Sequence, residues 1–189
     1  MPHFHLSLQS GATQTLKDMN RNYTPDEYRE TVKRIRKYYP DAGITTDVIV
    51  GFPGESDEDF KESYEFVREM AFSDLHVFPY SRRKNTPAAK RKDQIHGDVK
   101  KERAREMIEL GREMHREFIE KLSGKSYPVL FEEEKDDLYF GYTPNYLRVA
   151  VKSDKNLQNL LEYVTIEGED GGQLRGRIGK ENEHGLSVL

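Results

Sequence analysis

Hydrophobic and polar positions alternate from the second residue onward. Across "PHFHLSLQSG", Phe4, Leu6 and Leu8 fall on one side and His3, His5, Ser7 and Gln9 on the other. That is the pattern of a strand with one face in a core. The period then changes. In "TPDEYRETVKRIRKYYP", Tyr28, Val32, Ile35 and Tyr39 recur at helical spacing, Thr24 is placed to cap, Pro25 sits at the first helical position and Glu27 completes a capping box before Pro40 stops the helix. "GITTDVIVGFPGE" predicts a β-branched strand closed by glycines. "SDEDFKESYEFVREM" predicts a second helix capped by Ser56, with Phe60, Tyr64 and Val67 inward, and "DLHVFPYS" predicts a third strand. Strand, helix, strand, helix and strand with short links is the order of parallel βαβ units.

A turn-rich loop, "RRKNTPAAKRKDQIHG", leads into a long charged helix over residues 98–122, with a stop expected at Gly124. Beyond it "YPVLFEEE", "LYFGYT", "YLRVAVK", "EYVTIEGE" and "QLRGRIG" predict five short strands, the pattern of a small all-β barrel or sandwich. The expected domains are therefore 1–125 and 126–189. No internal repeat is visible.

The three early strands share a habit. A strand covered on both faces of a parallel sheet reads as almost continuously apolar. Here Thr45, Asp47, Ile49 and Gly51 share one face of the second strand, and Asp74, His76, Phe78 and Tyr80 one face of the third. Ligands of parallel α/β proteins bind at the carboxyl ends of strands. Gln9, Ser10, Asp47, Gly51, Phe52, Pro53, Gly54, Glu55, Tyr80 and Ser81 form the candidate site; a hydrogen-bonded polar interior with no ligand gives the same pattern. "GFPGE" sits where a phosphate cradle would, but lacks the Lys-Ser/Thr of a P-loop. It suits a glycine turn approached by a ligand, or a plain tight turn. His3, His5 and His76 are the one arrangement that would admit a metal.

Composition narrows the class. With 189 residues, 34% charged and 35% hydrophobic, the chain is long enough for a sizeable core and lacks a membrane-length apolar run or a signal segment, so a cytoplasmic setting is expected. It contains no cysteine, which excludes disulfides and thiolate metal sites within it. The net charge of −4 is unevenly spread: residues 82–105 hold ten Lys/Arg against three acids, and residues 126–189 hold seven against twelve. A basic belt of this kind guides a polyanion even on an acidic protein, or is simply a solvated helix and loop.

"HFHLSLQSGATQTLKDMNRNYT", "TTDVIVGFPGESDEDF" and "HVFPYSRRKNTPAA" together resemble the radical S-adenosylmethionine methylthiotransferases. "LHVFPYS…TPAA" and "FGYTPNYLRV" are most similar to the bacterial branch that modifies N6-threonylcarbamoyladenosine in tRNA. The resemblance implies the C-terminal half of an open (βα)6 partial barrel followed by a TRAM-like β-barrel that engages RNA. It also implies two 4Fe-4S clusters. One, in a Cys-x3-Cys-x2-Cys loop, cleaves S-adenosylmethionine to a 5′-deoxyadenosyl radical; the second delivers the methylthio group to adenine C2. Mapped onto this chain, Gln9 and Ser10 fall to the ribose or amino-acid end of S-adenosylmethionine, Gly51 to Gly54 to its adenine, Asp47 to polar positioning and Arg21 to its carboxylate. For tRNA the candidates are Arg82, Arg83, Lys84, Lys90 and Arg91 of the belt and Arg148, Arg175 and Arg177 of the barrel. Tyr142 and Tyr146 either stack on unpaired bases or fill the small core. With no cysteine, neither cluster is held here and no catalytic residue is assigned. The expectation is an inactive part of the enzyme, with a sheet edge prone to self-association; a free-standing RNA-binding protein is the alternative.

Overall fold

A computed structural model describes residues 3–179; Pro2, which the sequence places in the opening strand, and residues 180–189 lie outside the described residues. Contacts divide the chain into two compact units, Phe4–Phe118 and a second comprising residues 119–179 with His3.

The first unit is mixed α/β. Its strands β1 (His3–His5), β2 (Gly43–Val50) and β3 (Asp74–Pro79) lie in the order β1-β2-β3, and β2 and β3 run parallel in the register Thr45 to Asp74 and Asp47 to His76. The opening strand is shorter than its alternation predicts. Beyond His5 the contact with β2 is irregular: Leu6 N donates to Thr45 O at 2.9 Å, and Gln9, with a left-handed φ of 68°, makes an isolated parallel bridge to Val48. The carbonyls this irregular stretch would leave bare are met by tyrosines of the following segment. Tyr23 donates to Leu8 O at 2.7 Å and Tyr28 to Leu6 O at 2.7 Å. Burial raises the pKa of both phenols, so they remain donors across the ordinary pH range.

Helix α1 (Thr13–Asp18) follows, a short turn without apolar periodicity that the sequence pattern misses. Helix α2 (Pro25–Tyr38) has the predicted capping box, with Thr24 and Glu27 bonding reciprocally. Tyr28 and Val32 are buried, but Tyr39 is exposed, because the helix ends one residue before it. In α3 (Asp57–Met70), Ser56 and Asp59 form a second box; Ser63, Phe66, Val67 and Met70 are the buried positions, while Phe60 and Tyr64 pack at the core's margin. Helices α4 (Pro87–Lys90) and α5 (Gly97–Leu122) complete the series, and Ala104, Met107, Leu110 and Met114 of α5 join Leu8, Ile44, Val48, Val50 and Phe72 in one core.

The second unit is a closed barrel of five strands, β4 (Ser126–Lys135), β5 (Leu138–Tyr142), β6 (Arg148–Lys152), β7 (Leu161–Asp170) and β8 (Gln173–Ile178), in the order β4-β5-β6-β8-β7. Of the two architectures the alternation allowed, closure is the one adopted, and it removes every free strand edge. A parallel pairing of β6 with β8 closes the ring around Val129, Phe131, Val149, Val151, Val164 and Ile166. The wall is tight at Gly141, where a Cβ would stand 2.3 Å from the Leu130 carbonyl oxygen. Gly141→Ala must push β4 and β5 apart, and a loss of about 1–3 kcal/mol, read as a lowered thermal midpoint, is expected. An unchanged midpoint would show that the wall yields freely.

Candidate functional site

The carboxyl ends of the strands are built first from backbone. Gln9 N donates to Asp47 O at 2.8 Å and Ile49 N to Gln9 O at 2.8 Å, so the left-handed Gln9 is locked onto β2. Its side-chain oxygen accepts from Arg21 at 3.1 Å, which joins two residues chosen separately from the sequence. Ser10 is buried and its hydroxyl accepts from Ala12 N at 3.2 Å.

The "GFPGE" turn is held from within the protein. Gly51 and Gly54 have φ of 70° and 85°, values that favour glycine. Side chains of this chain occupy the space beside both. A Cβ on Gly51 would lie 2.2 Å from Lys100 Cγ, and one on Gly54 would lie 2.3 Å from a terminal nitrogen of Arg91. Phe52 and Pro53 are buried in the turn. The close approach that the glycines permit is thus made by Lys100 and Arg91. Lys100 also donates to Tyr80 O at 3.1 Å, and Phe52 meets the Tyr80 ring edge-on at 5.2 Å. The Tyr80 hydroxyl is buried without a hydrogen-bond partner, a polar atom facing inward at the strand ends.

Beneath the turn lies an ion pair that the sequence reading missed. Glu55 accepts from Gly51 N at 2.9 Å and from Arg103 at 2.8 Å, with the two side chains 2% and 6% exposed. Arg103 also donates to Glu55 O and to Asp57. Burial raises the Glu55 carboxyl above its usual range, and the Gly51 amide and Arg103 oppose that shift. The only local signal was an arginine at a position facing the core on the long helix, 48 residues from its partner.

The polar strand faces do converge. On the half-exposed face of the sheet, His5 has Nδ1 3.0 Å from Thr45 Oγ1 and Nε2 3.2 Å from Asp47 Oδ2, and the His5 and His76 rings are 6.1 Å apart. Asp47 thus points to His5, while Gln9, Ser10 and Tyr80 stand at the strand ends. Among the described residues no group of three or more His, Cys, Asp or Glu is placed to hold a metal ion.

The candidate cations separate into two kinds. In the loop after β3, Arg82, Arg83, Lys84 and Lys90 are exposed and have no acidic partner among the described residues; Arg82 reaches only Ala89 O. Arg91 is neutralised by Asp18 at 2.7 Å and by Asp93, which hold its pKa above the usual value. Gly54 N donates to Asp93 O at 2.9 Å, so the cationic loop is tied to the strand-end turn. The barrel arginines are each engaged by an acid. Arg148 pairs with Glu133 and lies over Phe140, Arg175 faces Asp170 at 3.9 Å, and Arg177 meets Glu167 at 3.0 Å.

Tyr142 and Tyr146 do not fill the barrel core. They are 37% and 64% exposed and stack at 5.1 Å. Tyr146 carries a φ of 68° in a turn fixed by the buried Thr143 and Asn145, so the backbone spends strain to present that ring.

Arg103→Met leaves a buried carboxylate unpaired, and a stability loss of about 3–5 kcal/mol is expected at neutral pH. Because the fold already favours neutral Glu55, and favours it more without Arg103, this stability is present at low pH and lost as pH rises through the folded-state pKa. Denaturant unfolding at pH 5 and pH 7 should therefore show the smaller deficit at pH 5, and adding Glu55→Gln should recover part of it. A deficit independent of pH would exclude an ionised Glu55.

Comparison with known proteins gives a consistent picture. The family model described as the radical SAM superfamily matches residues 1–67. A threonylcarbamoyladenosine tRNA methylthiotransferase (MtaB) of Bacillus subtilis is 39% identical over 87% of this chain and 38% of its own length. The MtaB of Aquifex aeolicus is 45% identical over 86% of this chain and 39% of its length. A tRNA-2-methylthio-N(6)-dimethylallyladenosine synthase of Geobacillus kaustophilus is 40% identical over 97% of the chain and 36% of its length. The chain thus spans less than two fifths of each of these relatives.

Proposed function

Because the chain belongs to the family of radical S-adenosylmethionine tRNA methylthiotransferases, we propose that it carries part of the S-adenosylmethionine site and a tRNA-binding surface of an enzyme that methylthiolates N6-threonylcarbamoyladenosine. In this reading β1 to β3 are strands of an open (βα)6 partial barrel, with the half-exposed polar face turned to its interior. The closed five-stranded barrel is a TRAM-like module. The setting is cytoplasmic, in keeping with the lack, among the described residues, of any helix long and apolar enough to cross a membrane.

The donor set decides which groups the chain suits. Iron–sulfur clusters take cysteine thiolates, of which there are none in the sequence, so no cluster step is assigned to its residues and the chain alone is inactive. S-adenosylmethionine suits the strand ends better. Gln9, Arg21 and Ser10 supply polar groups there, and the unpartnered Tyr80 hydroxyl supplies a buried one. When bound, this cofactor supplies the hydrogen-abstracting chemistry of the family. The chain's own part is to bind and orient: Arg21 is the cation for the cofactor carboxylate, while the space beside Gly51 and Gly54 is taken by Lys100 and Arg91 of the chain itself.

The observation that carries the tRNA assignment is the unpaired cationic loop fastened to that same turn. Phosphate contacts release counterions in proportion to the free cations that make them. Replacing Arg82, Arg83 and Lys84 together with alanine should weaken binding of unmodified tRNA and lower the slope of log affinity against log salt by about 2–3. Replacing Arg148, Arg175 and Arg177, already neutralised in place, should change the slope by less than about 1. A larger loss from the barrel set than from the loop set would move the footprint to the barrel, and an unchanged affinity in both would remove tRNA from the reading.

A further inference from the structure

The open face of the sheet contains a group with no role in the assignments above. The inference here rests on the methylthiotransferase reading and concerns which residue reads the modified base. We propose that His76, supported by the His5–Asp47–Thr45 array, is the specificity-determining contact for the threonylcarbamoyl group.

The relatives divide by the chemistry of the group on adenine N6. A threonylcarbamoyl group presents a urea, a hydroxyl and a carboxylate, whereas a dimethylallyl group is a hydrocarbon. A site for the second is lined by apolar side chains, and a site for the first needs hydrogen-bonding groups that are penalised when the ligand lacks their partners. On β1 to β3 the half-exposed face is mixed: the polar Thr45, Asp47, Asp74, His5 and His76 lie together with the apolar Ile49 and Phe78.

Within that array the histidines are not equivalent. His5 has both ring nitrogens engaged, at 3.0 Å by Thr45 and at 3.2 Å by Asp47, so its orientation is fixed and it has nothing left to offer. His76 stands directly across from Asp47 in the β2–β3 register, is exposed, and has no hydrogen-bond partner among the described residues. Its ring is 6.1 Å from the His5 ring. Two residues along the same face Phe78 is 52% exposed, an apolar surface for a purine beside an imidazole donor. The acids on this face are Asp47, which His5 engages, and Asp74, which accepts from the Leu75 amide at 2.8 Å. Both stand beside His76, Asp47 directly across the β2–β3 register and Asp74 two residues back on the same face, so a ligand carboxylate there is held by the His76 ring alone.

The test uses three nucleosides, N6-threonylcarbamoyladenosine, its methyl ester and N6-dimethylallyladenosine, titrated into the whole nitrogen-15-labelled chain while the imidazole nitrogens are followed by NMR. The acid should shift the His76 ring signals and bind about tenfold or more tightly than the dimethylallyl nucleoside, with the ester close to the latter. His76→Ala should abolish that preference, His76→Asn should retain part of it, and neither should alter tRNA affinity through the cationic loop. Equal binding of the nucleosides, binding of none, or a preference that survives His76→Ala overturns the assignment. If the preference is absent while tRNA still binds with steep salt dependence, only this inference fails. If tRNA binding is absent too, the functional reading fails with it.

Discussion

One buried ion pair sets the shape of everything at the strand ends. Glu55 closes the "GFPGE" turn by accepting from the Gly51 amide, and in its nearly water-free position that amide and Arg103 together offset the burial of its carboxylate. Desolvation and attraction oppose each other there, with burial raising the Glu55 carboxyl above its usual range. A buried pair of this kind adds little net stability as a pair; it is the loss of either member that is costly. Its structural effect is to bind the N-terminal part of α5 to the turn, which brings Lys100 alongside Gly51 and onto the Tyr80 carbonyl.

The cationic loop inherits its position from the same arrangement. Asp93 O accepts the Gly54 amide, and Arg91 is spent on Asp18 and Asp93, so this cation of the loop is structural, while Arg82, Arg83, Lys84 and Lys90 have no acidic partner among the described residues. The barrel differs: its arginines satisfy local acids, and its exposed apolar side chains include the stacked pair Tyr142 and Tyr146 as well as Leu161 and Tyr163. Two surfaces of the chain thus differ in chemistry, exposed cations at one and exposed aromatic rings at the other.

What could be read in the sequence follows the range of the interactions involved. The capping boxes at Thr24 and Ser56, the β-branched run of β2 and the alternation of the five barrel strands are set by neighbours a few residues apart, and all are present in the structure. The convergence of polar residues on one sheet face was also legible, because strand parity needs only the local pattern. Arg103 was not, since nothing near it in sequence announces a partner 48 residues away. Nor were the phenols of Tyr23 and Tyr28 that satisfy the carbonyls of residues 6–8, or the outward placement of Tyr146, which depends on a left-handed turn secured by Thr143 and Asn145. Helices α1 and α4 are too short to leave a periodic trace.

The closure of the small barrel bears on how it forms. Strands β4 and β5, β5 and β6, and β7 and β8 pair as antiparallel sequence neighbours, and such local pairs assemble fast. The β6–β8 contact joins Ala150 to Arg175 in parallel, across the whole of β7, so it must await the hairpin that carries β8. The β4–β7 pairing spans more sequence still, joining Ser126 to Thr165, so until the later of the two forms the ring is an open sheet with two bare edges, each able to recruit the matching edge of another chain. The hazard for this unit is thus kinetic: it belongs to the interval before closure, and a slower final step or a higher protein concentration lengthens the odds against a single closed barrel.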